Sequence, residues 1–135
     1  AKLGVFCRRW GVPLVDGGTI RLARQIGQSR ALDLILTGRE GSGQEALSIG
    51  LANRLVSPGM ALEASLQLAE EISAFPQLCM RNDRQSLYEQ WNLDVDEALI
   101  NETKLGLDVI RSGETAAGAK RFASGKGRHG SFEDI

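Results

Sequence analysis

Asp16-Gly17-Gly18-Thr19-Ile20-Arg21-Leu22-Ala23-Arg24-Gln25-Ile26-Gly27 and its continuation Gln28-Ser29-Arg30-Ala31-Leu32-Asp33-Leu34-Ile35-Leu36-Thr37-Gly38 form the stretch on which the fold turns. Leu22, Ala23 and Ile26 fall on one helical face, and Gly27 closes that segment. Ser29 is placed to cap a second helix, whose Ala31, Leu34 and Ile35 form an apolar stripe ending at Thr37-Gly38. Upstream, Leu3-Gly4-Val5-Phe6 reads as the end of a strand, whose backbone groups need a neighbour. With Ala1 rather than Met in front of it, that strand points to the C-terminal part of something longer. Trp10-Gly11-Val12-Pro13 then marks a loop.

Downstream, residues 39–43 read as a loop and residues 45–49 as a short helix stopped by Gly50. Leu51-Ala52-Asn53-Arg54-Leu55-Val56 reads as a short strand, broken at Ser57-Pro58-Gly59. Beyond it the pattern is helical. Leu62, Leu66, Ala69 and Ile72 share a face, and Pro76 ends that helix. A further helix is expected over residues 76–91. Asp94 stands three residues before Glu97 in a capping arrangement, and a last helix is expected over residues 115–123. The expected organisation is mixed α/β over residues 1–57 and helical over residues 58–135.

At 135 residues and 14.6 kDa, with 42% hydrophobic and 24% charged residues, the composition is globular and excludes wholesale disorder. Sixteen Lys+Arg against seventeen Asp+Glu argue against a surface that grips nucleic acid throughout. No stretch reaches the roughly 20 apolar residues of a membrane span, and the first residues lack the charged-then-apolar layout of a signal peptide. Cys7 and Cys79 are too few for a disulfide framework. With a single histidine, His129, they also argue against a zinc site built from this chain. A soluble intracellular protein without a metal or resident cofactor is expected.

Gly41-Ser42-Gly43-Gln44-Glu45-Ala46 matches a dinucleotide fingerprint in letters only, because the preceding residues 31–36 have helical rather than strand period. Asp16-Gly17-Gly18-Thr19 is more informative. Paired glycines at a helix mouth let a ligand approach the backbone, and the helix start favours negative charge. Asp16 there is either an N-cap or, in a dry pocket, an acid or base. Lys120, Arg121, Lys126, Arg128 and His129 form a basic run with no acid between Glu114 and Glu133. Such a run is either a solvated end or a phosphate clamp.

Taken in order, five blocks over residues 3–75 resemble the C-terminal half of the crotonase superfamily, the enoyl-CoA hydratase/isomerase family. They are Gly11…Gly17-Gly18-Thr19-Ile20-Arg21-Leu22, Ile26-Gly27-Gln28-Ser29-Arg30-Ala31, Leu36-Thr37-Gly38, Gln44-Glu45-Ala46 leading to Gly50-Leu51-Ala52-Asn53, and Val56. The resemblance implies an α/β, crotonase-like fold: the end of a ββα spiral core, then a helical C-terminal oligomerisation region that builds homotrimers or hexamers. It implies an acyl-CoA thioester as substrate, with the basic end near the CoA phosphates, and a lyase or isomerase of fatty acid metabolism in the cytoplasm or mitochondrial matrix. Family chemistry polarises the thioester carbonyl with two backbone N–H groups and moves protons with carboxylates. The oxyanion donors and one catalytic glutamate belong to the family's N-terminal half. The other glutamate falls at Cys7, whose thiol is a poor substitute for a carboxylate. Asp16 is then the nearest carboxylate to the same pocket, with Gly17 and Gly18 lining it. A non-catalytic crotonase-like subunit that binds acyl-CoA or serves in assembly is the alternative. An RNA-binding role rests on the basic end alone and is opposed by the net charge of −1.

Overall fold

Leu22, Ala23 and Ile26 recur on one side of α1 (Gly18–Ile26), and Ala31, Leu34 and Ile35 on one side of α2 (Gln28–Thr37). The two helices pack along those stripes. Ile26, Ala31 and Leu34 are buried, with Val5, Leu22, Ala23, Ile35, Ile49 and Leu51 against them. The structure, a computed structural model, describes residues 1–127 and 129. It divides into two compact units, Ala1–Ala61 and Leu62–Ile135.

In the first unit a single residue, Gly27, joins the helices. Its φ of +83° and ψ of 155° end α1 and begin α2 at once. Its N–H donates to the Ala23 carbonyl at 3.0 Å, and its own carbonyl accepts from the Ala31 N–H at 3.1 Å. Ser29, expected as the cap, lies inside α2 and caps nothing, because the glycine already supplies the turn. Gly38, at φ +58°, ends α2 with its N–H on the Leu34 carbonyl.

The strand expected to reach Phe6 is only β1 (Lys2–Leu3), and the chain turns into a 3-10 helix at Phe6–Trp10. Its partner is β2 (Gly41–Ser42), inside the stretch expected to be a loop. They pair antiparallel, Lys2 with Ser42 and Leu3 with Gly41. Ser42 also caps α3 (Gly43–Ser48), its hydroxyl accepting from the Glu45 N–H at 3.1 Å. The strand expected over residues 51–56 does not form. The N–H groups of Leu51 and Ala52 both donate to the Ala46 carbonyl, at 2.9 and 3.0 Å, so the chain is folded back on the end of α3.

Arg39 ties these pieces together. Its Nε donates to Asp33 on α2 at 2.6 Å, and its two terminal nitrogens grip the Glu45 carboxylate at 2.5 and 3.0 Å. The guanidinium holds the Glu45 carboxyl below the usual carboxylate range. A carboxyl depressed in the folded state contributes stability above its unfolded pKa of about 4.3 and loses it as pH falls through the folded value. The urea midpoint of the chain should therefore fall between about pH 7 and about pH 3, and part of that fall should vanish in Arg39→Met. An identical pH profile in the variant would remove Arg39 from the account.

The second unit begins with α4 (Ala61–Ala74), which Pro76 separates from α5 (Gln77–Glu89). A short 3-10 turn at Gln90–Asn92 leads to α6 (Val95–Ser112), capped as expected by the Asp94 carboxylate on the Glu97 N–H at 2.9 Å. Gly113 ends α6 and starts α7 (Glu114–Ala123) in the manner of Gly27. Helix α5 lies along α6, with the Asn82 amide on the Leu105 carbonyl. Glu114 caps α5 from α7, accepting from the N–H groups of Leu78 and Cys79 at 3.2 and 2.8 Å. Among the described residues no helix is long and apolar enough to cross a membrane.

Candidate active-site segments

Asp16 sits one residue ahead of the N-cap of α1, which is Gly17 at φ +83°. Its Oδ1 accepts from the Gly18 N–H at 3.3 Å, the one hydrogen bond its carboxylate makes among the described residues. The residue is exposed. The N-cap of α1 is therefore Gly17 and not Asp16 as expected; Asp16 closes a local turn on the Gly18 N–H, and its second carboxylate oxygen makes no hydrogen bond among the described residues. Arg21, one turn into the helix, donates from Nη2 to the Asp16 backbone carbonyl. A Cβ at Gly17 would stand 3.1 Å from Arg21 Nη1 and 3.3 Å from its Cζ, so the guanidinium lies close against the glycine. Gly17 is favoured there by its positive φ, and a side chain at that position would press on the guanidinium as well.

Cys7 is half-buried in the Phe6–Trp10 turn, with a free thiol. The two arginines that follow it fix the turn to the end of α2. Arg8 Nε donates to the Ile35 carbonyl at 3.1 Å, and Arg9 Nη2 to the Gly38 carbonyl at 3.2 Å. Two cations there meet the carbonyl-rich, negative end of the helix. The fit is tight: a Cβ on Gly38 would come within 3.1 Å of the Val5 carbonyl oxygen, and one on Gly4 within 2.6 Å of the Arg39 carbonyl oxygen. Both segments are thus held to the α1–α2 pair, with no hydrogen bond between Asp16 and Cys7 among the described residues.

Lys120 and Arg121 lie in the last turn of α7 and Lys126 in the turn beyond, all exposed in the second unit. Arg128 lies outside the described residues. A hollow of about 420 Å³ opens between α5 and α6, with Leu87, Leu93, Val95 and Leu99 on its walls and Asp83 and Glu102 at its rim. None of the expected site residues lines it, and its acidic rim suits no phosphate. No cluster of His, Cys, Asp or Glu among the described residues is placed to hold a metal ion.

Arg8, Arg9 and Arg21 were not singled out by the sequence. Arginines that bind backbone carbonyls have no oppositely charged residue at a telling spacing. Only the four-residue step from Gly17 to Arg21 could have hinted at the contact.

Residues 7–132 match the family model described as enoyl-CoA hydratase/isomerase. An enoyl-CoA hydratase of Mycobacterium tuberculosis is 35% identical over 123 residues, which is 91% of this chain and 46% of that protein. An enoyl-CoA isomerase/hydratase of Zymoseptoria tritici is 68% identical over 56 residues, 42% of this chain and 18% of that protein. Among solved structures, an enoyl-CoA hydratase from Mycobacterium tuberculosis superposes with a TM-score of 0.86 at 30% identity, over 92% of this chain and 49% of that one. The chain spans about half the length of the two Mycobacterium tuberculosis enzymes and a smaller share of the Zymoseptoria tritici one.

Proposed function

The chain belongs to the enoyl-CoA hydratase/isomerase family and has the α/β crotonase-type fold, and from that premise we propose that the whole protein acts on an acyl-CoA thioester through a stabilised enolate. The observation that carries this reading is the Asp16 carboxylate, seated on the Gly18 N–H at the mouth of α1, within the matched stretch. In this reading the thioester approaches over Gly17 and Gly18, and Asp16 moves the proton at the neighbouring carbon. Cys7 occupies a carboxylate position of the family without supplying a carboxylate. The carbonyl oxygen is met by backbone donors outside this chain. No metal or resident cofactor takes part. Assembly into homotrimers or hexamers through the helical region, in the cytoplasm or mitochondrial matrix, completes the proposal.

The test is proton exchange. Butyryl-CoA incubated with the whole protein in D₂O should take up deuterium at the α-carbon, read by mass spectrometry, because enolate formation exposes that position to solvent. A thioester that binds by calorimetry yet never exchanges would overturn the catalytic reading in favour of a binding subunit.

The basic end supplies a second measurement. If Lys120, Arg121, Lys126 and Arg128 meet the CoA phosphates, each exposed contact is worth about 0.5–1 kcal/mol after screening. Replacing all four with alanine should then weaken CoA-thioester binding by about one to two orders of magnitude. The loss should shrink at high salt and be smaller for the matching pantetheine thioester. Equal affinities throughout would reduce the run to a solvated end.

A further inference from the structure

We infer that Arg21 is a positioning residue for Asp16, its guanidinium fixing the direction in which the carboxylate is presented; this rests on the reading of Asp16 as the proton-moving group. Helical side chains lean toward the N-terminus of their own helix, so a residue in the second turn returns over the first. Arg21 does this. Its backbone N–H donates to the Gly17 carbonyl at 3.0 Å, which sets its place in the helix. Its Nη2 then reaches back to the Asp16 carbonyl, and the planar group closes over Gly17.

Asp16 is consequently held at two separate points. The backbone carbonyl is fixed by Arg21 and Oδ1 by the Gly18 N–H at 3.3 Å. With the peptide plane and one carboxylate oxygen both anchored, the side chain has one direction left for its second oxygen. No ion pair between Arg21 and the Asp16 carboxylate forms among the described residues. The cation therefore orients the residue without occupying the oxygen that would handle the proton. Lysine is no equivalent: it has a donor for the carbonyl but no flat group to lie against Gly17. An alanine at position 17 would displace the guanidinium and strain the backbone as well.

The experiment is a cycle of Asp16→Asn, Arg21→Met and the double variant in the whole protein, with Arg21→Lys as the milder change should Arg21→Met fold poorly. The readouts are kcat and KM for a short enoyl-CoA, together with hydrogen–deuterium exchange of the peptide spanning residues 14–22. Arg21→Met should lower kcat by about 10–100-fold, the cost of a misplaced catalytic group, while KM stays within a factor of about three. Arg21→Lys should keep part of the activity. In the Asp16→Asn background Arg21→Met should cost nothing more, because an orienting residue has nothing left to orient. Exchange of the 14–22 peptide should quicken in both Arg21 variants.

Equal losses from Arg21→Met in both backgrounds would overturn the inference and leave the Asp16 reading standing. So would a rise in KM at unchanged kcat, or an unchanged exchange rate in the 14–22 peptide. An Asp16→Asn variant as active as the parent would instead remove the reading itself, and the inference with it.

Discussion

Turnover of an enoyl-CoA by the Asp16→Asn variant of the whole protein is expected to fall by about 10²–10⁴-fold, the usual contribution of a positioned acid or base. Asparagine has the same shape and keeps an oxygen for the Gly18 N–H, so the start of α1 should stay as it is. What it lacks is a titrating oxygen. Asp16→Ala adds a separate loss, since the Gly18 donor then turns to water, and an intramolecular hydrogen bond contributes about 0.5–1.5 kcal/mol. The pair of variants divides chemistry from stability: asparagine should lower turnover at an unchanged unfolding midpoint, and alanine should lower both. Asparagine activity within a factor of about three of the parent would exclude Asp16 from proton transfer.

Leu34→Ala is expected to destabilise the chain by about 2–5 kcal/mol in urea unfolding. Leu34 is 5% exposed and belongs to a core cluster whose other buried members among the described residues are Ile26 and Ala31. Truncation there removes contacts with the apolar side chains packed against the cluster and leaves a cavity. The same helix carries its own control. Leu36 is 65% exposed, and Leu36→Ala removes the same atoms from a site still in contact with water, so it should cost less than about 1 kcal/mol. Similar losses at the two positions would mean that the α1–α2 contact does not organise the first unit.

The helical elements were legible because their apolar positions repeat at the helix period and because Gly27, Gly38 and Gly113 punctuate them. The Asp94 cap was legible for the same local reason: donor and acceptor lie three residues apart. The errors lie where another backbone group takes the partner that the local signal assigned, whether near, as Gly27 before Ser29, or far along the chain. Gly41 and Ser42 are poor strand formers, and they pair because Leu3 and Lys2 arrive from far along the chain. Residues 51–56, bounded by Gly50 and Ser57-Pro58-Gly59, read as a short strand, yet the Ala46 carbonyl takes the first two donors. At the candidate site, the Asp16-Gly17-Gly18 turn could be read from glycine chemistry. The clasp of Arg21 over it could not, because a carbonyl leaves no trace in the composition.

The joint at Gly27 has a consequence for which changes of chain length this architecture can absorb. With one residue between two packed helices there is no slack to take up an insertion or a deletion. One residue added within α2 turns everything after it by about 100° and advances it by about 1.5 Å. Leu34 would then swing off the face it shares with Ala31, and the Ile35 and Gly38 carbonyls would leave Arg8 and Arg9. Gly113 imposes the same rule between α6 and α7. Length variation is instead admissible at residues 53–60, which are exposed and lie outside helix and strand. Loops grafted or trimmed there should be tolerated, whereas the register between Gly27 and Gly38 must be kept to the residue.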